Sequence, residues 1–187
     1  TGGTALYDGR NLLELKPAFG SGLVTALARI DGWPVGVIAS QPASLVGSLT
    51  PDACSKATRL LCLCDAFGLP VVFLQDTPGF LVGTAVEHER LLAGAMLFLE
   101  ALCLTRVPKL TVVLRKAFGL AFFSMGGPGM GSDLLVAWPG AEIGFMEALD
   151  QFARNFENKI LSVAGALAHA AAELDQSAHA MSEMADE

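Results

Sequence analysis

The chain has 187 residues, of which 52% are apolar and 17% charged, and a net charge of −7; its mean hydropathy is +0.50. That length suits one domain or one half of a larger one. The apolar fraction excludes disorder, and the acidic balance excludes a nucleic-acid partner, which needs clustered Lys and Arg. No membrane span is expected, because spanning takes about 20 consecutive apolar residues. The long uncharged runs are broken by Pro and Gly, and the run from Leu91 to Leu104 is short and carries Glu100. The apolar surplus is therefore expected to face other protein.

In chain order, residues 23–30 read as a strand, Asp31-Gly32 as a turn and residues 35–39 as a second strand. Thr50-Pro51-Asp52 combines a capping hydroxyl, a first-turn Pro and an acid at the positive dipole end, so a helix starts there. It is predicted to run to Phe67 and stop at Gly68. Residues 70–74 read as a short buried strand, 76–83 as a loop and 85–105 as a second helix. Residues 109–115 form another strand, followed by a Gly-containing turn into a helix at 122–125 and a last strand at 134–138. Alternating strands and helices at this spacing predict an α/β fold around a largely parallel, buried sheet.

Every Gly but Gly165, and all 9 Pro, precede residue 150. Residues 1–150 are thus expected to form one domain and residues 151–187 an acidic, Ala-rich helical tail. The tail carries Glu157, Glu173, Asp175, Glu183, Asp186 and Glu187 against Arg154 and Lys159. Thr1 stands where an initiator Met is expected and no signal-peptide pattern follows it, which suggests a fragment or a processed chain. Cys54, Cys62, Cys64 and Cys103 lack the C-x-x-C pairing that zinc requires. They are read as buried thiols in a reducing compartment, which makes the expected location the cytoplasm.

In open α/β sheets ligands gather at the carboxyl ends of strands. Two loops fall there: Asp76-Thr77-Pro78-Gly79-Phe80, and the segment Arg115-Lys116-Ala117-Phe118-Gly119-Leu120-Ala121. The usual catalytic side chains are missing. His169 and His179 lie in the tail, and His88 sits in a charged Glu87-His88-Glu89 cluster that reads as a solvated helix face. No H-E-x-x-H, G-x-S-x-G or phosphate-cradling G-x-x-x-x-G-K-[ST] motif occurs, and no metal site is expected. Residues 126–131 are Gly-rich but lack dinucleotide-loop spacing and read as a tight turn. What remains is backbone chemistry. A Gly turn that opens a helix leaves N–H groups unpaired, able to stabilise an oxyanion, and Phe118-Gly119-Leu120-Ala121-Phe122 fits that description. Most such turns are only turns, so the residues alone leave both readings open.

A set of segments narrows the choice. Val24-Thr25-Ala26-Leu27-Ala28-Arg29-Ile30-Asp31-Gly32, Gly36-Val37-Ile38-Ala39-Ser40-Gln41-Pro42, Cys64-Asp65-Ala66-Phe67, Asp76-Thr77-Pro78-Gly79-Phe80, Val113-Leu114-Arg115-Lys116-Ala117-Phe118-Gly119 and Ala137-Trp138-Pro139 occur in this order. Over roughly residues 7–147 the chain resembles the C-terminal half of the carboxyltransferase component, or beta subunit, of biotin-dependent acyl-CoA carboxylases. The resemblance implies a crotonase-like (ClpP/crotonase) α/β fold, built twice in the whole family protein. One half binds the acyl-CoA and the other, this one, binds carboxybiotin. Each stabilises an oxyanion with backbone amides.

Carried over by position, the biotin-side donors are the amides of Leu120 and Ala121, following Gly119. The segment Asp76, Thr77, Pro78, Gly79 and Phe80 walls the biotin pocket, although Asp76 reads equally as a capping or turn residue. Phe123 falls where the family varies with acyl substrate, or else simply packs. The implied cofactor is biotin, presented by a biotin carboxyl carrier protein that a biotin carboxylase serves. The implied partners are the acyl-CoA substrate and an N-terminal carboxyltransferase half, in a homo- or hetero-oligomer. Leu120, Ala26, Ser40 and Ala93 depart from the family's Gly, Gly, Asn and His. Two other readings stay open: a crotonase-like CoA-thioester decarboxylase or hydratase-type subunit, and an inactive assembly subunit.

Overall fold

The computed structural model describes residues 12–83 and 90–145, together with Ile160, Ser162 and Gly165. The chain divides into two units, Thr1–Met146 and Glu147–Glu187. In the second, the three described residues are helical.

The first unit is built on a seven-stranded sheet. Its strands are β1 (Leu12–Leu15), β2 (Leu23–Ile30), β3 (Trp33–Ser40), β4 (Val71–Thr77), β5 (Lys109–Phe118), β6 (Leu134–Ala137) and β7 (Glu142–Gly144). The order is β1-β2-β3-β4-β5-β6, with β7 pairing β5 beyond β6. The β1–β2 and β2–β3 pairs are antiparallel and the rest parallel. The β2–β3 turn has Asp31 at φ +50 and Gly32 at φ +79, the doubly left-handed geometry that suits a two-residue hairpin.

Helix α1 (Pro51–Phe67) follows its sequence signals closely. The Thr50 hydroxyl accepts from the Ala53 amide at 3.2 Å. Gly68 ends the helix in the left-handed conformation, and Leu69 N donates back to Cys64 O at 2.9 Å. Along β4, buried Val71 and Phe73 alternate with half-buried Val72 and Leu74. The buried set joins Ile38, Leu60, Leu61, Phe98 and Leu102 in one core against α1 and α2 (Leu91–Leu104). Each large side chain so buried contributes about 1.5–3 kcal/mol relative to exposure. No helix among the described residues is long and apolar enough to cross a membrane.

Several boundaries differ from the sequence expectation. β4 and β5 pair beyond their expected ends, across a bulge after which Thr77 faces Ala117, so Asp76, Thr77 and the segment from Lys116 to Phe118 are strand rather than loop. The next helix, α3, is Gly119–Ser124, beginning directly at the glycine. The described part of the expected 85–105 helix is α2, and residues 84–89 lie outside the described residues. The short strands β1 and β7 were not expected. Cys54 and Cys64 are buried, but Cys62 and Cys103 are exposed. Cys62 is two residues from Cys64, and steps of two fall on opposite sides of a helix.

Candidate active site

The two segments singled out in the sequence meet at the carboxyl ends of β4 and β5. The bulge sets Asp76 against three residues of β5, Leu114 to Lys116, since Gln75 pairs with Val113 and Thr77 with Ala117. There Asp76 Oδ1 accepts from Arg115 Nε at 3.0 Å. Asp76 is therefore an ion-pair residue that ties the end of β4 to β5, and Arg115 is its anchor.

Past Thr77 the chain is folded down by short hydrogen bonds. Gly79 N donates to Thr77 Oγ1 at 3.3 Å, and Thr77 Oγ1 donates to Gly79 O at 3.2 Å. Leu49 then bridges the loop, donating to Gly79 O at 3.0 Å and accepting from Leu81 N at 2.9 Å. Pro78 and Phe80 stay half-buried, with Phe80 packed against the main core. Gly79 has φ +137 and open space where a Cβ would stand. Gly47 belongs to the same corner: a Cβ there would lie 2.5 Å from Asp76 O.

On the β5 side, Phe118 ends the strand in extended conformation and Gly119 turns with φ +59. Only glycine adopts that angle without strain, so the strand passes into α3 within one residue. Leu120 and Ala121 occupy the first turn of α3, where backbone N–H groups have no intrahelical acceptor. Leu120 is 41% exposed and Ala121 fully buried. Phe123 is half-buried, its ring 5.6 Å from that of Phe122. Among the described residues no cluster of three or more His, Cys, Asp or Glu is placed to hold a metal.

Sequence reasoning missed the residues behind α3. Gln75 is fully buried and donates through Nε2 to Phe122 O at 3.1 Å and Met125 O at 2.5 Å. Thr111 and Ser132 hydroxyls both donate to Gly126 O, at 2.8 and 2.6 Å. The signal was a Gln at the end of an apolar strand run, which reads equally well as a strand terminus. Of the departures from the family pattern, Ala26 is fully buried in β2. The Ser40 hydroxyl is buried without a hydrogen-bond partner, and Ala93 is exposed on α2.

A mixed sheet flanked by helices, with loops converging at the carboxyl ends of its central parallel strands, is here of the crotonase-like class. More narrowly, residues 4–185 match the carboxyl transferase domain, and the chain belongs to that family. The match runs well past residue 147 and takes in residues 151–185 of the tail. The chain is 41% identical over 145 residues to the biotin-dependent acetyl-/propionyl-coenzyme A carboxylase beta5 subunit of Mycobacterium leprae, covering 78% of this chain and 26% of that protein. It is 41% identical over 143 residues to the methylmalonyl-CoA carboxyltransferase 12S subunit of Propionibacterium freudenreichii subsp. shermanii, covering 76% and 27%. The crystal structure of transcarboxylase 12S, a hexamer with hydrolysed methylmalonyl-coenzyme A bound, superposes with a TM-score of 0.75 at 40% identity, covering 78% of this chain and 29% of that one. The chain thus spans about a quarter of the length of these relatives.

Proposed function

We propose that this chain is the biotin-side half of an acyl-CoA carboxyltransferase of the acetyl- or propionyl-CoA carboxylase type. The observation that carries the reading is the Gly119 turn, which opens α3 with the Leu120 and Ala121 amides in its first turn. The residues fit the group. A ureido oxygen is a hydrogen-bond acceptor, and backbone N–H groups are donors that need no titratable side chain. Carboxybiotin bound here would supply the carboxyl group that is transferred. The Leu120 and Ala121 amides would hold its ureido oxygen, donating to the negative charge left there when the carboxyl group departs. Asp76, through Arg115, holds the Thr77-Pro78-Gly79-Phe80 loop as a wall beside them. Phe123 limits the bulk or polarity of the acyl group. The acyl-CoA half, the biotin carrier and the biotin carboxylase are its partners in the reaction. Four free cysteines support a cytoplasmic setting.

The Ser40 hydroxyl, buried without a partner, favours a second reading: a degenerate half kept for assembly. One experiment separates the two. The full chain is combined with an acyl-CoA-binding half and a carboxylated biotin carrier, and transfer is followed for wild type and Leu120→Pro. Proline removes one amide donor in the first helical turn, where no intrahelical hydrogen bond is lost, and transfer is expected to fall by about 10²–10³. The chain alone is expected to transfer nothing. Transfer by the chain alone would overturn the reading of it as one half, and a fully active Leu120→Pro would falsify the donor assignment. No transfer even with the added half supports the assembly reading.

A further inference from the structure

Helix α3 has six residues, no side-chain cap at Phe118 and no acid in its first turn. A helix that short does not hold itself in water, so its direction is imposed by what it rests on. Gln75 supplies that support from β4. It is fully buried, and its Nε2 bonds two carbonyls, Phe122 O within α3 and Met125 O at its C-terminal cap. The amide orientation is forced, because the reverse would point Oε1 at two acceptors. Oε1 itself has no hydrogen-bond partner. A buried amide that leaves its acceptor unpaired is costly, and only its donor half is used. That donor half meets the segment carrying Leu120 and Ala121. The next residue along β4, Asp76, holds Arg115 on the approach to the same turn. Two consecutive residues of β4 thus fix the turn from two directions.

We propose that Gln75 is a positioning residue for carboxyl transfer: it sets the orientation of α3 and so the aim of the Leu120 and Ala121 amides. The proposal rests on the reading of those amides as oxyanion donors. The carbonyls it grips lie about one helical turn, roughly 5 Å, from the amides. A displacement of about 1 Å in a catalytic group is enough to cost about 10²-fold in rate.

The test uses Gln75→Met, which keeps the volume and loses the donors, and Gln75→Glu. Ionised, the Glu variant faces two carbonyls with two acceptors; protonated, it donates one hydrogen bond, and burial raises the pKa of such a carboxyl. In the complete transferase, both variants are expected to lower kcat about tenfold or more at pH 8 with KM for acyl-CoA unchanged. Gln75→Glu is expected to recover relative to wild type as the pH falls toward about 6, and Gln75→Met is not.

A second readout does not depend on turnover. In the full chain without partners, hydrogen exchange at the Met125 and Gly127 amides, which donate to Ala121 O and Phe123 O, should quicken in Gln75→Met while Phe73 in β4 stays protected. Wild-type kcat and exchange in Gln75→Met would overturn the proposal. So would a variant in which Phe73 and Met125 lose protection together, since that is loss of the fold rather than of aim. Leu120→Pro separates the two levels. If it is fully active, the oxyanion reading fails whatever Gln75 does. If it is inactive while the Gln75 variants are unaffected, only the positioning role fails.

Discussion

Gly119 turns β5 into α3 with φ +59, and a Cβ there would meet Phe145 O at 3.1 Å. An L residue in the left-handed region costs about 1–2 kcal/mol, so Gly119→Ala either strains the turn or moves α3. We expect a lower melting temperature and a loss of transfer larger than the stability change alone explains, measured on the complete transferase. The cysteines make a second prediction at the scale of single side chains. Burial pushes the Cys54 thiol up to about 12 and the Cys64 thiol up to about 11, whereas Cys62 and Cys103 are exposed. Because the thiolate is the nucleophile, iodoacetamide at pH 8 should modify Cys62 and Cys103 and leave Cys54 and Cys64 intact until the chain unfolds. Mass spectrometry of the native and denatured protein checks this. Labelling of Cys54 at the native-state rate of Cys62 would contradict the burial of α1.

Helix α1 shows what an element can hide. Its ends were legible because Thr50, Pro51 and Gly68 each have a local physical role. Its buried lysine was not, since nothing in the sequence marks Lys56 as inward-facing. The ammonium donates to Leu23 O at 2.8 Å. Burial lowers its pKa from 10.5, with Glu14 partly offsetting the shift. Between the lowered value and 10.5 the folded chain binds fewer protons than the unfolded one, so this group makes stability rise with pH in that window. The buried thiols act in the opposite direction above about 9, because only the unfolded state ionises them there. Urea unfolding of wild type and Lys56→Met from pH 7 to pH 10 isolates the lysine. The difference in stability should change in favour of wild type as pH rises, and a pH-independent difference would show that Lys56 stays charged. For the strands, the hydrophobic runs located β4 and β5 but not their ends. Their last residues, Asp76 and Thr77 on one strand and Lys116 to Phe118 on the other, sit beside the glycines of the following turns and read as loop; the bulge that lets pairing continue past them is a tertiary feature. The two candidate loops were legible, but the Asp76–Arg115 link between them and the Gln75 support behind them were not, because both depend on strand register.

For the whole molecule, the apolar surplus has a visible location. Leu92, Met96, Leu97 and Leu104 are exposed on α2, with Trp138, Ile143 and Phe145 exposed near the end of the sheet. Such large apolar exposure is uncommon on a chain that works alone, and it accords with a chain spanning 26–27% of its relatives. The hairpin at Asp31-Gly32 bears on how the molecule assembles in time. Strands β2 and β3 are adjacent in sequence and pair through a two-residue turn, a contact that forms in about 1–10 μs. The parallel pairing of β4 with β5 must instead close a connection running from Val71 to Lys109, and such non-local pairing is slow. Substitutions in the hairpin should therefore slow refolding, while those at Gln75 or Thr111 should mainly speed unfolding, as stopped-flow chevrons would show. The segment proposed to carry the chemistry would then be the last to form as the chain folds and the first to come apart.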